Sequence, residues 1–394
     1  MRKARLHILL VVNSLCFGGA EKHAVTLLNT LDTERFHLSL AYLKDDVSLL
    51  PQLQIERAPG GVFSCQVTRK IDWPAARRLA AHIQEQDVDI IVCTNTYSLL
   101  YAWLAQLCTG RLGKARPRIV EVFHSTMLGT FEDEMQMLFY RPWILACDCL
   151  VYVCHNQRRY WRRRALRARG DTVIYNGVDV NYFFDGYSQQ EKADRRRLHG
   201  FTDSDIVVGL CAAMRPEKQH GDLLQAVARL RNEGVPVTCL LIGDGPQRAV
   251  IDDMMAALHL QHCVRVTGFV TDVRPDIAIC DVMAITSHCV ETFSIAALEA
   301  MALAKPMVMT DIGGAREQVT PGTNGYLYPP GDIDALAAIL HTLQDPFLRR
   351  SMAIQARATV VEHFSLDRMV SAYAQLFDQL VPDSDLQSSA QHVG

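Results

Sequence analysis

The sequence predicts an α/β chain built from two doubly wound, Rossmann-like domains facing a cleft. Three observations predict it. Apolar runs of strand length alternate with helical patterns, the rhythm of parallel sheets covered by helices. That rhythm stops in a polar, charge-rich stretch at 188–205 and then starts again. With 394 residues, 49% hydrophobic and 21% charged, the chain has the size and composition of two globular domains.

In the first half, strand runs are read at 6–12, 36–41, 89–93, 118–122, 149–153 and 172–175. Such continuous apolar stretches suit strands buried on both faces. Helical periodicity marks 20–31 and 73–86 between them. After Asn176-Gly177-Val178-Asp179, the 188–205 stretch is the expected linker. The second half has strand runs at 206–212, 237–242, 264–267, 282–286 and 306–310, with helices through 223–231 and 248–258. Gly243-Asp244-Gly245-Pro246 is a sharp turn. The expected boundaries are 1–180 and 181–364, with a polar, disordered tail at 382–394.

A net charge of −3 argues against a general nucleic-acid binder. Twelve cysteines are scattered without CxxC or metal-ligand spacing, as expected of buried thiols in a reducing cytosol. The apolar run after Met1-Arg2-Lys3-Ala4-Arg5 breaks at Asn13, so it reads as a first core strand rather than a signal peptide. No window reaches the ~18 apolar residues that a membrane span needs.

The most informative stretch is 287–301, Ser-His-Cys-Val-Glu-Thr-Phe-Ser-Ile-Ala-Ala-Leu-Glu-Ala-Met. A buried strand ends in small polar residues. Glu291 then falls in a strand-to-helix loop, and Thr292 or Ser294 can cap the helix. Glu299 is expected about two turns into that helix. The N–H groups of a helix start can take an anion, while the two carboxylates take hydroxyl protons.

Other strand-end loops carry polar groups. Phe17-Gly18-Gly19-Ala20-Glu21 opens a helix, where two glycines permit positive φ or close ligand approach, or simply make a tight turn. It lacks both dinucleotide and P-loop spacing. Arg215-Pro216-Glu217-Lys218 places two cations where a diphosphate fits, or forms a solvated turn. His124, ending Glu121-Val122-Phe123-His124-Ser125, is either a hydrogen-bonding group or a structural histidine. Gly313-Gly314-Ala315-Arg316-Glu317 and Asn324-Gly325 through Pro330-Gly331-Asp332 complete the set.

In order and spacing, these motifs resemble the retaining glycosyltransferases of the GT-B fold, family 4. Glu291 and Glu299, eight positions apart, are the most specific part. The resemblance implies a nucleotide-sugar donor, UDP- or GDP-linked, held mainly by the second domain, and no cofactor. By matching position, Lys218 and Arg215 would neutralise the diphosphate, aided by N–H groups around Thr292, Phe293 and Ser294. Glu291 would hold the donor sugar, Glu299 the ribose, and the loop reaching Val270 the base. Gly18 and Gly19 would let the first domain approach the diphosphate, and His124 would lie on the acceptor side. A C-terminal helix at 365–381 would complete the first domain.

Two positions depart from the family pattern. Ala213 replaces its usual arginine, a charge that Arg215 would supply, and Thr292 replaces its usual glycine. Asp-x-Asp triplets at Asp87–Asp89, Asp203–Asp205 and Asp383–Asp385 all miss strand carboxyl ends, so no metal is assigned. The expected activity is metal-independent transfer of a hexose-type sugar, with retention, to a glycan or lipid-linked acceptor in cell-envelope polysaccharide or glycolipid synthesis. A non-catalytic nucleotide-sugar or glycan-binding protein and a nucleotide-sugar epimerase are the alternatives on this fold.

Residues 157–169 carry seven arginines and no acid. Tyr160, Trp161, Ala165 and Leu166 share part of a helical face. Arg158, Arg159, Arg162, Arg163, Arg164 and Arg167 on a basic aromatic helix suggest an anionic membrane surface as partner. The expected location is cytoplasmic, peripheral on the inner face of the membrane. A solvated helix is the plainer reading.

Overall fold

A computed structural model of the chain describes residues 5–109, 116–124, 131–289 and 291–381. Ser125, Val290, residues 126–130 and the expected tail at 382–394 lie outside the described residues. The chain divides into two compact units, Met1–Tyr175 with Met369–Gly394, and Asn176–Arg368.

The first unit contains β1 (Leu6–Val12), α1 (Gly19–Thr30), β2 (Phe36–Tyr42), β3 (Val62–Ser64), α2 (Trp73–Glu85), β4 (Ile90–Thr94) and α3 (Thr96–Cys108). It continues through β5 (Arg118–Phe123), α4 (Phe131–Ala146), β6 (Cys149–Tyr152), α5 (His155–Arg163) and β7 (Asp171–Val173). Its seven strands are parallel, in the order β3-β2-β1-β4-β5-β6-β7. β1 is buried along its whole length, as the central strand of a sheet covered on both faces should be.

The second unit contains α6 (Gln189–Leu198), β8 (Ile206–Cys211), α7 (His220–Asn232), β9 (Val237–Ile242), α8 (Arg248–Ala257), β10 (Val264–Val266), α9 (Arg274–Ala278) and β11 (Val282–Ile285). Then come α10 (Ile295–Ala302), β12 (Met307–Thr310), α11 (Ala315–Gln318), β13 (Gly325–Tyr328), α12 (Ile333–Thr342) and α13 (Pro346–His363). Six parallel strands run β10-β9-β8-β11-β12-β13. The last helix, α14 (Leu366–Leu380), packs in the first unit. There Phe377 meets Phe36 edge-on at 5.7 Å, and Asp378 accepts a bond from Arg35 at 2.8 Å.

Several expectations need correction. The stretch expected as a linker is mostly helix: Ser188 and Glu191 form a reciprocal capping box at the start of α6. Arg195 pairs with Asp276, and Arg196 with Asp281, binding α6 into the second unit. The basic segment is helical only to Arg163; Ala165 adopts φ +57°, and Trp161 and Leu166 are buried rather than surface-facing. Neither Gly18 nor Gly19 has positive φ, since Gly18 is extended and Gly19 begins α1.

One core residue is anomalous. Glu121 lies fully buried on β5, and neither carboxyl oxygen has a hydrogen-bond partner among the described residues. Burial pushes its pKa well above the ordinary glutamate value.

Candidate active site

In the second unit, β8 and β11 are neighbours, with β9 outside one and β12 outside the other. Strand order reverses there, so the loops following β8 and β11 flank a crevice at the sheet's carboxyl edge.

The loop after β8 is held from beneath by the turn after β9. Met214 N–H donates to Asp244 O at 2.9 Å. Gly243, at φ +136°, lies so close that a Cβ there would come within 2.3 Å of Ala212 O. A 3₁₀ turn at Pro216–Lys218 follows, and Gln219 in the left-handed region redirects the chain into α7. This turn aims Lys218 at the loop after β11. Its Nζ donates to Glu291 Oε2 at 2.7 Å, an oxygen that also accepts from Ser287 Oγ at 3.1 Å. The lysine and glutamate side chains retain 25% and 13% exposure, so the pair is shielded but reachable.

Backbone contacts keep the two loops in register. Thr286 Oγ1 donates to Lys218 O at 2.7 Å, and His288 N–H donates to Glu217 O at 3.2 Å. The His288 ring meets Asp222 of α7 at 2.5 Å, adding a third tie. Further along, Ser294 Oγ accepts from Ala297 N–H and caps α10. Gln318 clasps the same residue, accepting from Ser294 N–H at 3.1 Å and donating to Ser294 O at 2.8 Å. Asn176 Nδ2 donates to Phe293 O at 3.0 Å.

The expected donor residues are not all placed alike. Lys218 and Glu291 are in direct contact. Thr292 sits between Glu291 and the helix start, with its carbonyl accepting from Gly314 N–H at 2.7 Å. Ser294 is the cap, one of the two residues expected there; its N–H donates to Gln318 and its hydroxyl accepts from Ala297 N–H. The Phe293 ring packs into the interior against Phe364 at 5.2 Å. Glu299 is the fifth residue of α10, little more than one turn in rather than two, and is buried. Arg215 is exposed and makes no ion pair among the described residues, so the structure does not join it to Lys218 and Glu291. Val270 follows Gly268, in a loop whose Thr267 Oγ1 accepts from Gly243 N–H at 3.2 Å.

Sequence reading missed Ser287 as a partner of Glu291, and also Asp222, His288 and Gln318. The small polar end of β11 signalled Ser287. The others are joined to the site through residues distant in sequence, and no local pattern marks them.

In the first unit, Gly18 leaves room that the Glu21 carboxylate fills, since a Cβ would lie 2.3 Å from Glu21 Oε2. One turn into α1, His23 meets His124 edge-on at 5.2 Å between ring centres, and its Nε2 lies 3.3 Å from the Tyr373 hydroxyl of α14. Burial lowers the His23 pKa to about 4. It also pushes His124 well below the ordinary histidine value, helped by neighbouring His23. Both rings are neutral near pH 7, and His124 can then take part in hydrogen bonding without bringing a charge. Sequence reading identified His124 but not His23 or Tyr373.

Among the described residues no group of three or more His, Cys, Asp or Glu side chains is arranged to hold a metal ion. Among them, no helix is long and apolar enough to cross a membrane.

Comparison with known proteins agrees with this arrangement. The family Glycosyltransferase Family 4 matches residues 17–182, and Glycosyl transferases group 1 matches residues 191–359. N-acetyl-alpha-D-glucosaminyl L-malate synthase of Bacillus anthracis is 27% identical over 79% of this chain and 80% of its own length. A GDP-mannose-dependent monoacylated alpha-(1-6)-phosphatidylinositol monomannoside mannosyltransferase of Corynebacterium glutamicum is 28% identical over 56% of this chain and 60% of its own. The fold matches Anabaena HepE, solved in complex with UDP-glucose, with a TM-score of 0.82 at 24% identity, covering 95% of this chain and 100% of HepE. Two doubly wound parallel sheets and family matches to both halves establish that the chain belongs to the GT-B glycosyltransferases of group 1, family 4.

Proposed function

We propose that this glycosyltransferase moves a hexose from a UDP- or GDP-linked donor to a glycan or lipid-linked acceptor, with retention and without a metal ion. The observation that carries the reading is the Lys218–Glu291 pair at the strand-order reversal of the second unit, just ahead of the α10 N-terminus. A lysine with one of its three donors on Glu291 has others to offer a diphosphate. Glu291 Oε1 makes no bond among the described residues, which suits it to a sugar hydroxyl. The UDP-glucose complex of HepE and the GDP-mannose dependence named for the corynebacterial relative support the donor class.

In the proposed reaction the acceptor oxygen bonds to the anomeric carbon as the bond from that carbon to the diphosphate oxygen breaks. The acceptor proton passes to the departing phosphate oxygen on the same face of the sugar. Lys218, Arg215 and the α10 dipole offset the charge developing there. Thr292 and Phe293 help through their backbone, Glu299 is assigned the ribose, and the loop at Val270 the base. Neutral His124 is given a hydrogen-bonding role toward the acceptor. Gly18 and Gly19 keep the start of α1 small enough for a ligand to approach. The arginines of 158–167 are assigned an anionic membrane surface, in keeping with cell-envelope polysaccharide or glycolipid synthesis at the inner face of the membrane.

The test follows nucleoside diphosphate release by purified protein from UDP-, GDP-, ADP- and dTDP-sugars, with and without EDTA. Release from one donor, unaffected by EDTA, is expected, and anomeric configuration is then read in the product by NMR. Inversion or EDTA-sensitive release would overturn the respective part of the proposal. Donor-specific thermal stabilisation without turnover, even in membrane extract, would leave a binding protein.

A further inference from the structure

α4 is apolar on two faces. Met137, Tyr140 and Ile144 face the core and are buried. Met135, Leu138, Phe139 and Leu145 are 51%, 60%, 51% and 37% exposed, and exposed Pro142 lies among them. At ~100° per residue these five positions share an arc of about 120°. A surface helix normally turns charged and polar side chains outward, so a continuous apolar outer stripe calls for a partner.

The surroundings of that stripe specify the partner's charge. Arg141 Nη2 donates to Arg164 O at 2.7 Å and to Ala165 O at 2.8 Å, drawing the basic segment after α5 against the C-terminal half of α4. Within α5 Arg158 and Arg162 are tied to Asp171, and Arg164, just past the helix, lies 3.7 Å above the Tyr160 ring. Arg159, Arg163 and Arg167 are exposed and form no ion pair among the described residues. Exposed acids on α4, Glu132 and Glu134, sit at the far, N-terminal end. Trp161 and Leu166 are buried, so the arginine segment has no large apolar surface of its own.

We infer that the outer face of α4 enters the interfacial layer of an anionic bilayer, with Arg159, Arg163 and Arg167 over the headgroups. This rests on the membrane partner proposed above for the arginines and names the element that inserts. An apolar face and a cationic edge together supply the two contributions that stable surface binding requires. The stripe and cations adjoin at one end of α4, a pattern that an anionic bilayer matches.

The test is co-sedimentation of the full chain with phosphatidylcholine vesicles, with and without phosphatidylglycerol, at low and high salt. The wild type should bind only the phosphatidylglycerol vesicles and release at high salt. L138S/F139S should lower the partition coefficient roughly tenfold or more, and R159Q/R163Q/R167Q should abolish the preference for phosphatidylglycerol. M135Q/L145Q serves as a second α4 variant, and donor-dependent nucleoside diphosphate release without vesicles reports whether each variant is folded. If the α4 variants bind as wild type while the arginine variant does not, the inference is overturned and the arginine reading survives. If the wild type binds no vesicles, both membrane readings fall, while the transferase reading is judged by nucleoside diphosphate release alone. A wild-type dimer that L138S/F139S makes monomeric, without vesicle binding, would give the stripe to a second copy of the chain and overturn the inference.

Discussion

Glu291 illustrates how much a single carboxylate can be asked to hold. One oxygen accepts from both Lys218 and Ser287, and the other makes no bond among the described residues. Glu291→Ala should lower kcat/KM about 100-fold, since a positioned polar group at the reacting centre typically contributes on that scale. The melting temperature should shift by only a few degrees, because Lys218 keeps access to solvent. Parallel turnover and thermal melts check this, and wild-type turnover would remove Glu291 from the site. The lysine and both glutamates were legible because the family motif keeps their spacing. The cap role of Ser294 was legible as well, because a small hydroxyl residue stands just ahead of the helical stripe. His23 and Tyr373 went unseen because their encounter spans 350 positions of sequence.

At the scale of elements, strands were legible where they are central. Runs such as Val237–Ile242 are buried throughout, and apolar but for Thr238, because helices cover both faces of the sheet. Edge strands β3 and β13, three and four residues long, were not read as strands, although the edge strands β7 and β10, three residues each, were. α6 was hidden by its charge, with no buried residue to mark a periodic face. α10 and its supporting loops offer two predictions. Ser294→Ala removes the cap and should cost about 1 kcal/mol in a urea melt, with a higher KM for the donor. Gly313→Ala should be worse. Gly313 has φ +55°, and a Cβ there would come within 1.8 Å of Glu291 O, so the loop carrying Glu291 must shift. Donor affinity by calorimetry should fall more than global stability, and an unchanged affinity would detach Gly313 from the donor site.

Across the whole molecule, buried ionisable groups set opposing pH limits. His23 and His220 are held neutral by burial, each with a pKa lowered to about 4, while in the unfolded chain they titrate near the ordinary histidine value of 6.5. Below 6.5 the unfolded state binds protons that the native state refuses, so stability is full above that value and declines as pH falls toward 4. Each imidazole contributes up to roughly 3 kcal/mol to that decline. Urea melts from pH 7.5 to 4.5 should show it, and His23→Gln should flatten it. Glu121 acts in the opposite sense. Its raised value makes its contribution present below 4.5 and lost as pH rises through the folded value, so Glu121→Gln should stabilise the protein more at pH 8 than at pH 5. The placement of α14 has a consequence for synthesis. The part of the first unit up to Tyr175 leaves the ribosome ~190 residues before Met369, an interval of roughly 10–40 s at ~5–20 residues per second. Throughout that interval Phe36 and His23 lack the rings of Phe377 and Tyr373, and the nascent chain must keep that uncovered surface from other chains until α14 arrives.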